Sequence, residues 1–255
     1  MVHFEDRGEG VPVLLFHGFP FTSESWWPLL ESPPKGVRVI APDHRGFGRS
    51  ERVTAGSTST MDQLAEDGFA VLEHLKIDRA IVGGLSMGGY VAIAATRLDP
   101  GRVSGLLLVD TMSLADDEAG KARRASVAAD VEANGVVGLA SGLMQKLFGA
   151  GAPADVRSRI EKMMLAQDRN AVAAASRGMA LRSDGKDILS RYSGPCAVVV
   201  GAEDVITPLE RAKTMHELVS GSSLHVVQGA GHLTPLEKPA EFSAIVERFA
   251  RSPSL

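Results

Sequence analysis

Ala80-Ile81-Val82-Gly83-Gly84-Leu85-Ser86-Met87-Gly88-Gly89-Tyr90-Val91-Ala92-Ile93-Ala94 decides how the rest of the sequence is read. An apolar run is followed by Gly84-Leu85-Ser86-Met87-Gly88 and then by a helical pattern, so a strand, a sharp turn and a helix are predicted in succession. In a chain with 27 glycines the letters G-x-S-x-G carry little weight alone; the strand before and the helix after give them meaning. Such a turn forces the serine into a strained backbone conformation, and glycines two residues to either side remove the Cβ atoms that would clash. The hydroxyl then projects above the sheet, where the new helix also directs its first backbone amides. The plainer alternative is that Ser86 caps the helix.

Working outward, short runs rich in Val, Ile and Leu recur at Val13 to Phe16, Val37 to Ala41, Val103 to Val109, Ala197 to Val200 and Leu224 to Val227. Strands apolar on both faces imply helices on both sides, and alternating β and α elements predict an α/β fold with a mostly parallel sheet. Met61 to Leu75 places Leu64, Gly68, Val71 and Leu75 on one helical face, with Thr60 and Gln63 as a capping box. Thr207-Pro208-Leu209-Glu210 reads as another helix start, with proline at the first helical position. From Ser113 to Asp184 no strand-like run occurs, only Ala-rich helical pattern broken by glycines and Pro153. This predicts a helical insertion, 113–184, in a core made of 1–112 and 185–255. Met144, Met163, Met164 and Met179 lie within it and Met112 stands at its entrance, as ordinary bundle core or as an adaptable apolar lid.

The 255 residues carry 27 basic and 31 acidic side chains, a net charge of −4. A chain of this length suits one main core burying about 70% of the unfolded surface. Without a run of Lys/Arg there is no footprint for nucleic acid or an anionic membrane, and neither partner is expected. No stretch of 18 apolar residues suggests a bilayer span, and Met1 to Arg7 does not read as a signal peptide. One cysteine, Cys196 beside Ala197 to Val200, reads as a buried thiol in a reducing compartment, so a cytoplasmic location is expected.

The chemistry-bearing residues fall at strand ends. His17-Gly18-Phe19-Pro20 follows the first strong strand run, and a loop there turns the Phe19 amide toward the point reached by the Met87 amide, which would make a two-donor oxyanion hole. His17 itself reads as a residue that ties down its own loop. Gly201-Ala202-Glu203-Asp204 and Gly229-Ala230-Gly231-His232 follow successive strands and emerge on the edge of the sheet where Ser86 emerges. A hydroxyl needs a base, and an imidazole needs a carboxylate to fix its tautomer. Ser86, His232 and Asp204 would fill those roles. Asp110, ending the run Leu106-Leu107-Leu108-Val109, is a rival acid but opens the insertion instead of a short loop. Glu203 is one residue too close to its strand.

These motifs, together with Asp43-His44-Arg45-Gly46-Phe47-Gly48-Arg49-Ser50, resemble those of α/β-hydrolase fold enzymes over nearly the whole chain. The resemblance implies that Asp43 and Arg45 are structural and that 113–184 is a helical cap. It also narrows the chemistry. Related dehalogenases and epoxide hydrolases carry aspartate where this chain has Ser86, and the epoxide hydrolases need cap tyrosines, whereas Tyr90 and Tyr192 lie outside the insertion. C–C bond hydrolases carry Asn before the serine and Trp after the histidine, where this chain has Leu85 and Leu233.

Gly84 to Gly89 and His232 to Pro239 are most similar to carboxylesterases and 3-oxoadipate enol-lactonase-like hydrolases. The expectation is therefore cleavage of small or medium apolar esters through an acyl-enzyme, with no cofactor and no metal. The alternatives are lactone hydrolysis, cofactor-free perhydrolase or haloperoxidase chemistry, C–C hydrolysis, and a non-catalytic binding member of the fold. Substrate contacts are expected from Phe19, Met112, Met144, Phe148, Met163 and Leu233, in a monomer or small homo-oligomer. Arginines of the insertion would face the pocket in a dicarboxylate lactonase; solvated helix faces are their default.

Overall fold

The computed structural model describes residues 2–252. Seven strands, β1 (Phe4–Gly8), β2 (Val11–Phe16), β3 (Val37–Pro42), β4 (Ala80–Leu85), β5 (Val103–Val109), β6 (Cys196–Gly201) and β7 (Ser223–Val227), form one sheet in the order β1-β3-β2-β4-β5-β6-β7. The helices are α1 (Trp27–Glu31), α2 (Met61–His74), α3 (Met87–Leu98), α4 (Glu118–Asn134), α5 (Val137–Met144), α6 (Ala154–Leu165), α7 (Arg169–Ala180), α8 (Lys186–Arg191), α9 (Leu209–Leu218), α10 (Thr234–Glu237) and α11 (Pro239–Ala250).

All six strands predicted from apolar runs are present, and their pairings are parallel. Residue parity sorts their side chains as a period of two requires. Leu14, Phe16, Ile40, Val82, Leu106, Leu108, Val198 and Val200 pack with Leu64, Val91, Ala212 and Met215 of α2, α3 and α9. Val13, Leu15, Val39, Ile81, Leu107, Val109 and Val199 pack with Leu29, Phe242, Ile245 and Val246 of α1 and α11. Each of these side chains is at most 2% exposed, so both sheet faces are core.

The strand the apolar pattern missed is β1. Its sequence, Phe4-Glu5-Asp6-Arg7-Gly8, places three charges in a row, because it is an antiparallel edge strand that pairs only with β3. The Arg38 guanidinium donates to both carboxylate oxygens of Asp6, at 2.9 and 2.7 Å, and so secures it.

The capping box of α2 forms as predicted: Thr60 Oγ1 accepts from the Gln63 amide at 3.2 Å, and Gln63 Oε1 accepts from the Thr60 amide at 3.0 Å. The start of α9 differs from the sequence reading. Pro208 is extended (φ −61°, ψ 161°) and precedes the helix, which begins at Leu209. Thr207 is drawn away because both its amide and its hydroxyl donate to Asp204.

Between β5 and β6 the chain is helical, α4 to α8, without a strand. Gly135 (φ +80°) ends α4 where a left-handed residue is needed. The small residues of α7 let it lie directly on the segment before α2: Ser59 donates its amide to the Ala174 carbonyl at 3.1 Å, and a Cβ at Gly178 would strike the Ser59 carbonyl.

Candidate active site

Ser86 joins β4 to α3 with φ +53° and ψ −112°. A non-glycine residue there costs about 1–3 kcal/mol, which the surroundings must offset. They do so from β5. The Ser86 amide donates to the Val109 carbonyl at 2.9 Å, and the Ser86 carbonyl accepts from Thr111 Oγ1 at 2.7 Å. The flanking glycines are required sterically: a Cβ at Gly84 would enter the backbone of Gly88, and one at Gly88 would enter the Phe16 carbonyl. The Ser86 side chain makes no capping bond to α3, so the helix-cap alternative is not realised.

Met87 is the first residue of α3, where an amide has no intrahelical acceptor. Phe19 lies in the loop after β2, and among the described residues its amide has no acceptor either. The loop is fixed by the Phe21 amide, which donates to the Gly18 carbonyl at 3.0 Å. His17 accepts from the His44 amide at Nε2 (3.0 Å), which leaves Nδ1 to donate to the Gly18 carbonyl at 2.8 Å. Burial pushes the His17 imidazole down to about 4, and burial together with its neighbour His17 pushes His44 well below the usual range. Both rings are neutral, and both nitrogens of His17 are committed to backbone, as expected of a loop anchor.

The loop after β6 folds around one carboxylate. Asp204 Oδ1 accepts from the amides of Ile206 (2.8 Å) and Thr207 (3.0 Å), and Oδ2 accepts from Thr207 Oγ1 (2.7 Å). His232 Nδ1 lies 2.8 Å from the same Oδ2, with both residues at most 5% exposed. A carboxylate only accepts, so Nδ1 carries the proton and Nε2 keeps its lone pair. Burial works against charge on either partner, but their mutual attraction outweighs it: Asp204 is held below its ordinary value and His232 above.

Two buried acids of this region escaped the sequence reading in their actual role. Asp110 accepts from the Gly201 amide (2.9 Å), the Thr234 amide (3.0 Å) and Thr234 Oγ1 (2.8 Å). Glu237 Oε1 accepts from the Gly231 and Leu233 amides on either side of His232 (2.9 and 3.2 Å), and Oε2 accepts from the Gly149 amide of the insertion at 2.8 Å. The Glu203 carboxylate makes no bond to His232 and accepts from the Ala150 amide at 2.7 Å. Asp43 accepts from the Ser23 and Arg49 amides, and Arg45 pairs with Asp67, both consistent with structural duty.

The residues expected to contact substrate are divided by the sheet. Phe19 and Met112 pack on the core of α2 and α3, whereas Met144, Phe148, Met163 and Leu233 pack with the core on the opposite face. Met112 lines a cavity of about 140 Å³ with Tyr90, Ile93, Leu181, Arg182 and Ile188, and Ser86 does not line it. Phe148 lies under the Arg157 guanidinium, 4.7 Å from its ring centre. Met163 is 7% exposed and lines an outer groove with Glu24, Asp155 and Arg159, so its placement is that of a packing residue of α6.

Arg123, Arg159 and Arg169 are exposed, as the solvated default expects, whereas Arg182, Arg124 and Arg177 depart from it. Arg182 has a side chain only 4% exposed, pairs with Asp116 at 2.7 Å and stacks on the Tyr90 ring at 4.3 Å. Arg124 shares the same Asp116 carboxylate, and Arg177 pairs with Glu132.

Among the described residues no helix is long and apolar enough to cross a membrane. A thermophilic esterase from Thermogutta terrifontis, solved with malate bound, superimposes with a TM-score of 0.94 at 35% identity, covering 100% of this chain and 94% of that one. A putative carbamate hydrolase of Rhizobium rhizogenes is 27% identical over 99% of this chain and 97% of its own length. The 3-oxoadipate enol-lactonase 1 of Acinetobacter baylyi is 25% identical over 96% of this chain and 90% of its own. The sequence model of the family described as alpha/beta hydrolase fold matches residues 11–239, and with the sheet order above this places the chain in the alpha/beta hydrolase family.

Proposed function

We propose that this protein is a serine hydrolase that cleaves carboxylic esters of small or medium, uncharged substrates through an acyl-enzyme. The observation that carries the reading is the 2.8 Å bond between His232 Nδ1 and Asp204 Oδ2, which leaves Nε2 a proton acceptor in the strand-end loops that also present Ser86. In this reading Ser86 Oγ attacks the ester carbonyl while His232 Nε2 takes its proton, a contribution of about 10²–10⁴ in rate. The oxygen that becomes negative is met by the Phe19 and Met87 amides, each worth about 10²–10³. His232 returns the proton to the leaving alkoxide, and the acyl group on Ser86 is released by a water that His232 deprotonates. No step calls for a cofactor.

The substrate enters beneath a cap formed by residues 113–184, on a core of 1–112 and 185–255. Phe19 and Leu233, which stand in the loops bearing the oxyanion amide and His232, supply apolar surroundings, whereas Met112, Met144 and Phe148 pack in the cores on opposite faces of the sheet. Uncharged substrates are favoured because the buried arginine of the cap, Arg182, is neutralised by Asp116. Lactones are cyclic esters and follow the same route. The enol-lactonase relative makes them the second substrate class to test, with the paired Arg182 arguing against dicarboxylate lactones. The test is a panel of p-nitrophenyl esters and lactones with the Ser86→Ala protein as control: turnover of short neutral esters, abolished in the variant, supports the reading, and turnover that survives in the variant overturns it.

A further inference from the structure

Asp110 has none of the roles assigned above, yet it bonds to the loops that carry Asp204 and His232, and its chain neighbours bond to Ser86. Its amide donates to the Val199 carbonyl at 2.9 Å, and its carboxylate accepts from the Gly201 amide, three residues before Asp204. The same carboxylate accepts from the amide and the hydroxyl of Thr234, two residues after His232. Its two chain neighbours hold the elbow: Val109 accepts from the Ser86 amide and Thr111 donates to the Ser86 carbonyl.

Asp110 is also strained. It is fully buried with φ +42°, so two adjacent strands, β4 and β5, end in left-handed non-glycine residues, Ser86 and Asp110. Such strain persists only where surrounding contacts over-determine it, and it collects at functional sites.

Resting on the serine-hydrolase reading, we propose that Asp110 is a positioning residue: it locks the His232 loop to the strand ends bearing Ser86 and Asp204, and its negative charge favours the imidazolium formed when His232 takes the Ser86 proton. Three donors converge on its two oxygens, the pattern of an ionised carboxylate. Holding that charge is costly, since burial and then the nearby Asp204 carboxylate push Asp110 up to about 7, against the attraction of His232. His232 in turn faces Asp204, Asp110 and Glu237, all of which favour its protonated form, and the buried Tyr90 hydroxyl also senses Asp204. Asparagine would keep the volume, but it removes the charge and turns an amide donor toward the Gly201 or the Thr234 donor.

The experiment is the pH dependence of kcat and KM on one neutral p-nitrophenyl ester for wild type, Asp110→Asn and Thr234→Val, with thermal melts of each. Asp110→Asn is expected to lower kcat about 10- to 100-fold with KM within about threefold, as for a lost hydrogen bond to a charged group. The acid limb of kcat/KM should move to lower pH by about 0.5, because a negative charge beside His232 is gone. Thr234→Val keeps the charge and loses one bond, so kcat should fall about 3- to 10-fold with the limb unmoved. A folded Asp110→Asn protein with wild-type kcat, or with reduced kcat and an unmoved limb, overturns the proposal. Should Asp110→Asn fail to fold, wild-type kcat in Thr234→Val overturns it and reduced kcat supports it. Full activity in Ser86→Ala would instead defeat the hydrolase reading, so the two failures are separable.

Discussion

Thr207 Oγ1 donates to Asp204 Oδ2 at 2.7 Å, the same oxygen that accepts the His232 Nδ1 proton at 2.8 Å. The carboxylate that orients the imidazole is thus itself oriented by a hydroxyl as well as by two amides. Thr207→Val preserves the shape and both amides, and should lower kcat about 3- to 10-fold with KM unchanged. Asp204→Asn should cost up to roughly 10⁴ in kcat, because the amide stabilises the wrong tautomer. A steady-state comparison of both variants with wild type tests this ranking, and an inverted order would contradict it.

We expect His232 to set the acid limb of kcat/KM. Burial alone would lower the imidazole, but the Asp204 carboxylate, with Asp110 and Glu237 behind it, holds it above the ordinary value. The base must be neutral to act, so a raised value shifts the rise in activity upward, to a midpoint above about 6.5. His17 and His44, both pushed down by burial, stay neutral throughout that range. A pH–rate profile with its midpoint below 6 would mean that another group sets the limb.

Gly88→Ala should abolish activity and destabilise the protein together. The new Cβ would meet the Phe16 carbonyl, which is backbone of a central strand and has no room to yield. The elbow and the oxyanion amide of Met87 then move as one, so a folded Gly88→Ala enzyme with wild-type turnover would show that the geometry of the elbow is not needed.

The sheet was legible in the sequence because β2 to β6 are buried along their apolar runs, and β7, at one edge and only partly buried, still carries Leu224, Val226 and Val227; β1, at the other edge, reads as charge. Ser86, Asp204 and His232 were legible because each follows a strand through a glycine-containing turn. Thr207, Asp110 and Glu237 were not. Thr207 acts through a hydroxyl bond to the Asp204 side chain, and Asp110 and Glu237 through bonds to backbone amides 4 to 124 residues away, which leave no trace in the sequence. Arg182 was illegible for a related reason: its burial depends on Asp116 and Tyr90, which are remote from it in the chain.

The ion pair of Arg182 with Asp116 offers a test of whether the cavity that Arg182 lines takes substrate. Arg182 and Met112 line the same cavity, and Asp116 is shared with Arg124. Asp116→Asn leaves two guanidinium groups with no carboxylate at that point, and should raise kcat/KM for an anionic ester relative to its neutral analogue by about 3- to 10-fold. An unchanged ratio would place this cavity off the substrate path.

The central claim is that Ser86 is the nucleophile. Intact-protein mass spectrometry after treatment with a fluorophosphonate measures it most directly. One adduct per chain should form on the wild type, mapped to the peptide bearing Ser86, and the folded Ser86→Ala protein should acquire none. An unmodified wild type, or an equal adduct on Ser86→Ala, would contradict the account.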